Sequence, residues 1–211
     1  MTLDELQNQA TTFEKNYISL KEKIESEVAE WKWSKKQYYS VEPFFNEKDR
    51  RGKQAKLLKN APKGPAGNVQ CGFNTAGKVM IEKEIQKFPD HGWDRFFMYE
   101  ENIIWEMGFT KKGEITYLCR FEIENGLTKK SEYLHLFGSK QYHTEAYNYN
   151  DSNQLVSSVL HNVYYDSVNM SSLYQYIYEY DDNNELKAII ANIDHTYDPK
   201  PIRNFFVYKA K

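Results

Sequence analysis

Apolar residues near the start of the chain recur at steps of three and four: Leu3, Leu6, Ala10, Phe13, Tyr17, Leu20, Ile24, Val28 and Trp31. That period puts one stripe on a helix and predicts a single amphipathic helix over residues 3–31. Thr2 and Glu5 fit a capping box, a hydroxyl for one orphan N–H and a carboxylate reaching back for another. The stripe has two uses. It docks on the protein's own sheet, or it coils against a second copy and makes a homodimer through the N-terminal helix.

From Cys71 onward the period changes to two. In "EITYLCRFEI", Ile115, Tyr117, Cys119, Phe121 and Ile123 share one strand face, and Thr116, Arg120 and Glu122 take the other. In "YQYIYEYDDNNELKAII", Tyr174, Tyr176, Tyr178 and Tyr180 share a face. Five pieces align: "FNTAGKV" (73–79), "YEENIIW" (99–105), "FEIENGL" (121–127), "YNYNDSNQL" (147–155) and "YEYDDNNEL" (178–186). Each passes from alternating aromatics through turn-forming residues to a new apolar run, which predicts one β-hairpin per piece. With the closing "NFFVYKA", the expected class is mainly β (α+β): a long antiparallel meander of about ten strands, twisted or curled. The expected division is 1–31 helix, 32–68 connector with a basic loop, and 69–211 sheet domain. Pro62, Gly64, Pro65 and Gly67 mark the connector as loop, with a short helix expected around Lys53–Lys59.

The unit "YEYDDNNELKAI", echoed by "YNYNDSNQLVSS" and "FNTAGKVMIE", resembles the tyrosine–aspartate repeat of Rhs and teneurin-type proteins, roughly Tyr-x-Tyr-Asp-x-x-Gly-x-Leu. Tyr178, Tyr180, Asp181 and Leu186 match it, with Asn184 in place of the usual glycine; Tyr147, Tyr149 and Leu155 match in part. The resemblance covers residues 71–193 and departs in its irregular period. Members of the family build long β-sheet spirals or shells. Five degenerate units are too few to enclose a cargo, so the resemblance implies the hairpin architecture alone. Similar repeats occur in small bacterial proteins that neutralise toxins, and the resemblance is compatible with such an immunity role.

Composition adds a charge map. Aromatics make up 16% of the chain, with seventeen tyrosines and twelve phenylalanines, a bias that suits strands. The net charge of −2 hides an asymmetry: residues 46–64 hold seven Lys/Arg against two acids, whereas residues 141–195 hold eight acids and one lysine, Lys187. Cys71 and Cys119 fit neither a metal spacing nor a disulfide framework, and are expected as two buried thiols, with a single bridge the alternative. The opening residues lack an apolar signal core, and no run approaches the ~20 apolar residues of a membrane span. The expected location is the cytoplasm, with export as a secretion-system cargo the alternative.

Candidate chemistry is sparse. The five histidines show no i, i+4 pair and no His-Glu-x-x-His, although His135 and His143, and His161 and His195, are placed to face each other across hairpins. No Gly-x-Ser-x-Gly elbow or phosphate loop occurs, and no cofactor or metal is expected. Glu100 and Glu101 adjoin Trp93, Tyr99 and Trp105, a composition shared with sugar-binding clefts. Arg50, Arg51, Lys53, Lys56 and Lys59 raise nucleic acid, but the acidic second half argues for a solvated loop instead.

What remains is the sheet. Tyrosine offers rigid contact area with a polar tip. Set among acids, it suits a basic partner and would speed its capture. The leading expectation is a non-catalytic binding module, most concretely an immunity or antitoxin protein occluding a basic toxin domain such as a nuclease. The expected contact residues are Tyr176, Tyr178, Glu179, Asp181, Asp182, Glu185 and Asp151. The alternatives are a carbohydrate-binding or carbohydrate-active protein using the Trp93–Trp105 region, and an assembly protein oligomerising through its helix.

Overall fold

A computed structural model describes residues 1–49, 55–138, 140–164, 170–196 and 200–210. The chain opens with α1 (Leu3–Lys15) and α2 (Tyr17–Ser26), then β1 (Glu30–Ser34) and the four-residue α3 (Phe45–Lys48). Eleven strands follow: β2 (Asn68–Phe73), β3 (Val79–Ile85), β4 (Trp93–Tyr99), β5 (Ile103–Thr110), β6 (Ile115–Glu124), β7 (Leu127–His135), β8 (Gln141–Tyr149), β9 (Leu155–Tyr164), β10 (Ser171–Tyr180), β11 (Leu186–His195) and β12 (Ile202–Lys209). The twelve strands form one antiparallel sheet in sequence order. The protein is thus mainly β, a meander with an N-terminal helical segment.

The helix is shorter than its apolar period predicts. Its capping box forms: Thr2 N–H donates to Glu5 (2.7 Å) and Glu5 N–H to Thr2 Oγ1 (3.2 Å). Asn16 then leaves helical geometry (φ −100°, ψ 15°), with its side-chain amide given to the Thr12 carbonyl at 2.9 Å, and this separates α1 from α2. The helix ends at Ser26. Trp31 is strand instead, because "EWKWS" alternates with period two and pairs with β2, Trp31 opposite Gly72 and Trp33 opposite Gln70. The helix around Lys53–Lys59 falls partly outside the described residues; Ala55–Lys59 is not helical, and Leu57 bridges to Ser34.

All five hairpins expected from the aligned pieces are present, and their tips explain the repeat. Among the described residues, four tips share one geometry. In each, the first residue's N–H donates to the carbonyl four residues on, and the fourth residue's N–H returns to the first carbonyl: Asn74–Lys78, Thr110–Glu114, Asn150–Gln154 and Asp181–Glu185. The fourth position needs left-handed backbone, supplied by Gly77 (φ 73°), Gly113 (φ 88°), Asn153 (φ 60°) and Asn184 (φ 61°). The first side chain caps the turn. Asn74, Asn150 and Asp181 each accept two backbone N–H bonds at 2.9–3.0 Å. The Thr110–Glu114 tip is a member that the aromatic alignment misses. The Asn125-Gly126 tip differs, with two consecutive positive φ values (52° and 77°) in a two-residue turn.

A tyrosine precedes three of the tips and ties each hairpin to the one before. Tyr99 OH donates to Val79 O (2.8 Å), Tyr149 OH to Thr128 O (2.8 Å) and Tyr180 OH to Leu155 O (2.9 Å). Each acceptor lies at the start of the preceding hairpin's second strand.

The chain divides into two compact units, Met1–Tyr39 with Gln54–Arg120, and Ser40–Lys53 with Phe121–Lys211. In the first, the helical stripe docks on the unit's own sheet: Leu6, Ala10, Phe13, Leu20 and Ile24 are buried. Phe13 meets Trp105 edge-on (5.8 Å), Tyr17 packs on Phe96 (5.9 Å) and Phe109 (5.0 Å), and Glu14 accepts the Ile115 N–H (2.9 Å). In the second, Tyr147, Leu155, Tyr178 and Ile189 form a core against which Phe44 of the connector packs. No helix among the described residues is long and apolar enough to cross a membrane. No disulfide joins Cys71 and Cys119, which are both buried.

Candidate functional site

The second unit carries all seven residues that the sequence nominates, and its strands sort them by parity. On β10, Ser172, Tyr174, Tyr176, Tyr178 and Tyr180 face one side, whereas Gln175, Ile177 and Glu179 face the other and are exposed. The tyrosine side is the covered one. Tyr178 is 4% exposed, and Phe44 lies over it with ring centroids 5.6 Å apart. Tyr176 is half-buried on the same side. These two tyrosines therefore belong to the interior, not to an open contact surface, because the connector occupies the face they present.

A buried charge cluster holds the connector there. Lys48, from α3, reaches Glu145 of β8 (2.6 and 2.8 Å) and Glu42 of its own segment (2.5 Å). Its ammonium stands over the Tyr147 and Tyr176 rings at 5.7 and 5.1 Å. Glu145 also accepts from Ser158 (2.5 Å) and Tyr147 (2.9 Å), Tyr147 meets Ser131 (3.1 Å), and Ser158 meets Tyr178 (3.0 Å). Burial alone would lower the Lys48 pKa, but the Glu145 and Glu42 carboxylates overcome it and hold the ammonium protonated well above its usual range. Burial, with Glu145 beside it, keeps the Tyr147 phenol neutral. Held in its charged form, Lys48 ties the connector to β8 through Glu145.

The first unit contains a counterpart around Arg95. Its guanidinium bonds Glu82 (2.7 Å), Glu106 (2.6 Å), the Tyr117 hydroxyl (2.8 Å) and the Tyr39 carbonyl (3.1 Å). Glu82 in turn accepts the N–H groups of Tyr38 (3.0 Å) and Tyr39 (2.8 Å), fixing the start of the connector. Burial raises the Glu82 pKa, and Arg95 opposes that rise. Gly108 is bare because the Tyr117 ring lies over it: a Cβ there would meet the ring at 2.1 Å. Sequence reading missed both clusters. The available signal was a charged residue set close to apolar and aromatic ones within a strand: Glu82 in "VMIEKEI", Arg95 in "WDRFFMY", Glu106 in "IIWEMGF" and Glu145 in "YHTEAYNY".

The aromatic residues near Glu100 do not present a stacking platform. Trp105 is buried beneath Phe13 and gives its indole N–H to Glu100 (3.1 Å), Trp93 stands against the Arg95 guanidinium (5.9 Å), and Tyr99 is tied to Val79. His135 and His143 share one face of the β7–β8 pair, both stacked against the Tyr133 ring. His161 pairs in register with Leu173 and His195 with Ser172, so the two lie on opposite faces. His195 bonds Ser172 (2.7 Å), and His143 stacks on Tyr133 (4.6 Å). Burial lowers the His143 pKa to about 4, so its ring is neutral near pH 7. Among the described residues, no group of His, Cys, Asp and Glu is arranged to hold a metal ion. Arg50, Arg51 and Lys53 lie outside the described residues; the Lys48 side chain, from the same basic run, is 7% exposed, and Lys56 and Lys59 are exposed.

The exposed acids come together at the tips. Asp151 of the β8–β9 tip and Asp181, Asp182 and Glu185 of the β10–β11 tip are all exposed. Gln154 donates to Asn184 at 3.3 Å and joins the two tips. Glu179 stands just before them on the outer face of β10, beside exposed Ile177. No family model, curated protein or solved structure matches the chain.

Proposed function

We propose that this chain is a non-catalytic protein-binding module that captures a basic partner at the joined acidic tips of the β8–β9 and β10–β11 hairpins. The supporting observation is the Gln154–Asn184 bond, which joins the tip that carries Asp151 to the tip that carries Asp181, Asp182 and Glu185, all four of them exposed residues. A concentrated acidic end on a rigid sheet steers an oppositely charged protein and raises its association rate more than its final affinity. The most concrete partner is a basic toxin domain, which the bound module would block in the manner of an immunity protein. The contact set is Asp151, Glu179, Asp181, Asp182 and Glu185; the tyrosines brace the surface from behind.

The test is kinetic. The toxin-like product of a gene adjoining this one is titrated against the wild-type chain and Asp182→Lys/Glu185→Lys, with association measured at low and high salt. The reversal should slow association about tenfold or more at low salt, remove most of its salt dependence, and leave the melting temperature unchanged. An equal rate for the variant would sink the proposed surface, and a neighbourhood without any toxin-like gene would sink the immunity reading.

A further inference from the structure

The first unit contains a hollow that the acidic tips do not involve. It opens between α2 and the β2–β3 hairpin and encloses about 240 Å³. Leu20 and Ile24 of α2, with Met80 of β3 and Met98 of β4, supply its apolar lining, and Lys23 and Lys78 stand at its rim. The rim is held in place. Asn74 caps the turn that presents Lys78, and the Lys78 ammonium rests over the Tyr99 ring at 4.7 Å. Neither lysine has a carboxylate partner among the described residues, and the one acid of the lining, Glu27, leaves the rim with a net positive charge.

We propose that this hollow binds a small carboxylate carrying an unbranched apolar tail. At about 30 Å³ per heavy atom, the volume takes roughly eight, which fits acids of about six to eight carbons with the headgroup at the rim. The tail lies along Met80 and Met98, whose flexible thioethers adapt to a straight chain. The carboxylate sits between Lys23 and Lys78. Exposed ammonium groups contribute modestly, so the tail sets the affinity and the lysines set the preference for an anion.

The experiment is an NMR titration of the full chain, labelled at its methionine methyl groups, with butanoate, hexanoate, octanoate, decanoate and 1-octanol. The Met80 and Met98 signals should shift saturably, while Met1, Met107 and Met170 stay still. Affinity should rise about fourfold per added methylene up to roughly octanoate and then level off as the hollow fills. Lys23→Ala/Lys78→Ala, two exposed changes, should weaken octanoate about threefold to tenfold and leave 1-octanol unaffected. The proposal is overturned by any of three results. One is the absence of saturable Met80 and Met98 shifts at tens of millimolar octanoate; another is an equal loss of octanoate and octanol affinity in the double variant. The third is a shift that follows protein concentration without ligand, which would assign the hollow to a second copy of the chain.

Discussion

His143 is the side chain whose titration most directly reports burial. It lies on β8 against Tyr133, and the groups that act on its charge are Glu145, which favours the cation, and Lys48 and His135, which oppose it. Its pKa is lowered to about 4, whereas a histidine in the unfolded chain titrates near 6.5. Above pH 6.5 neither state holds the proton, and stability does not depend on this ring. As the pH falls from 6.5 towards 4, the unfolded chain takes up a proton that the folded one refuses. Stability then drops by at most about 1.4 kcal/mol per pH unit. His143→Phe keeps the stack on Tyr133 and removes the titration, so its stability relative to wild type should grow across that window. Urea midpoints measured from pH 7.5 to 4 decide it: parallel curves for the two proteins would mean the ring is not neutral in the fold. None of this was legible in the sequence. A histidine in "QYHTEAY" reads the same whether its face is wet or covered, and the Lys48 charge that acts on it comes from about a hundred residues earlier. Asn184 and Asn153 were legible, because a left-handed turn position admits asparagine where the repeat has glycine.

At the level of elements, the aromatic repeat finds its cause in the tyrosine tethers. Tyr99, Tyr149 and Tyr180 each spend a hydroxyl on a backbone carbonyl of the preceding hairpin. Tyr→Phe at any one of them keeps the ring and should cost about 0.5–1.5 kcal/mol, readable as a lower urea midpoint with unchanged slope. A cost near zero at all three would show that ring packing alone sets the spacing. The sequence announced these hairpins because turn chemistry and period-two alternation are local. It misled on the helix terminus, where Val28 and Trp31 continue a helical period that the strand pairing of "EWKWS" overrides. It also left the connector as loop. The anchoring of that segment through Glu82, Thr128 and Glu145 depends on partners 44 to 97 residues away.

For the whole molecule, the decisive placement is the helical stripe on the first unit's sheet. Leu6, Phe13 and Ile24 are 0%, 9% and 2% exposed, so the face that would zip two copies together is already spent within one chain. Removing residues 1–26 should uncover Phe96, Phe109 and Trp105 and increase self-association relative to the full chain. Light scattering and ANS fluorescence report it, and an unchanged mass with no dye binding would contradict the docking. The charge asymmetry of the sequence carries over only in part, since the acids at the tips are exposed while Lys48 of the basic run is interred with Glu145.

The order of strands has one more consequence, for how the chain reaches its fold. Each strand pairs with its neighbours in sequence, and the tethers reach back only 20 to 25 residues. Little loop entropy must be surrendered before contacts begin to form, which is uncommon for so large a sheet. Folding can advance hairpin by hairpin, with each newly closed turn offering a carbonyl to the tyrosine that follows. The connector, which docks through distant partners, then becomes the last piece to lock.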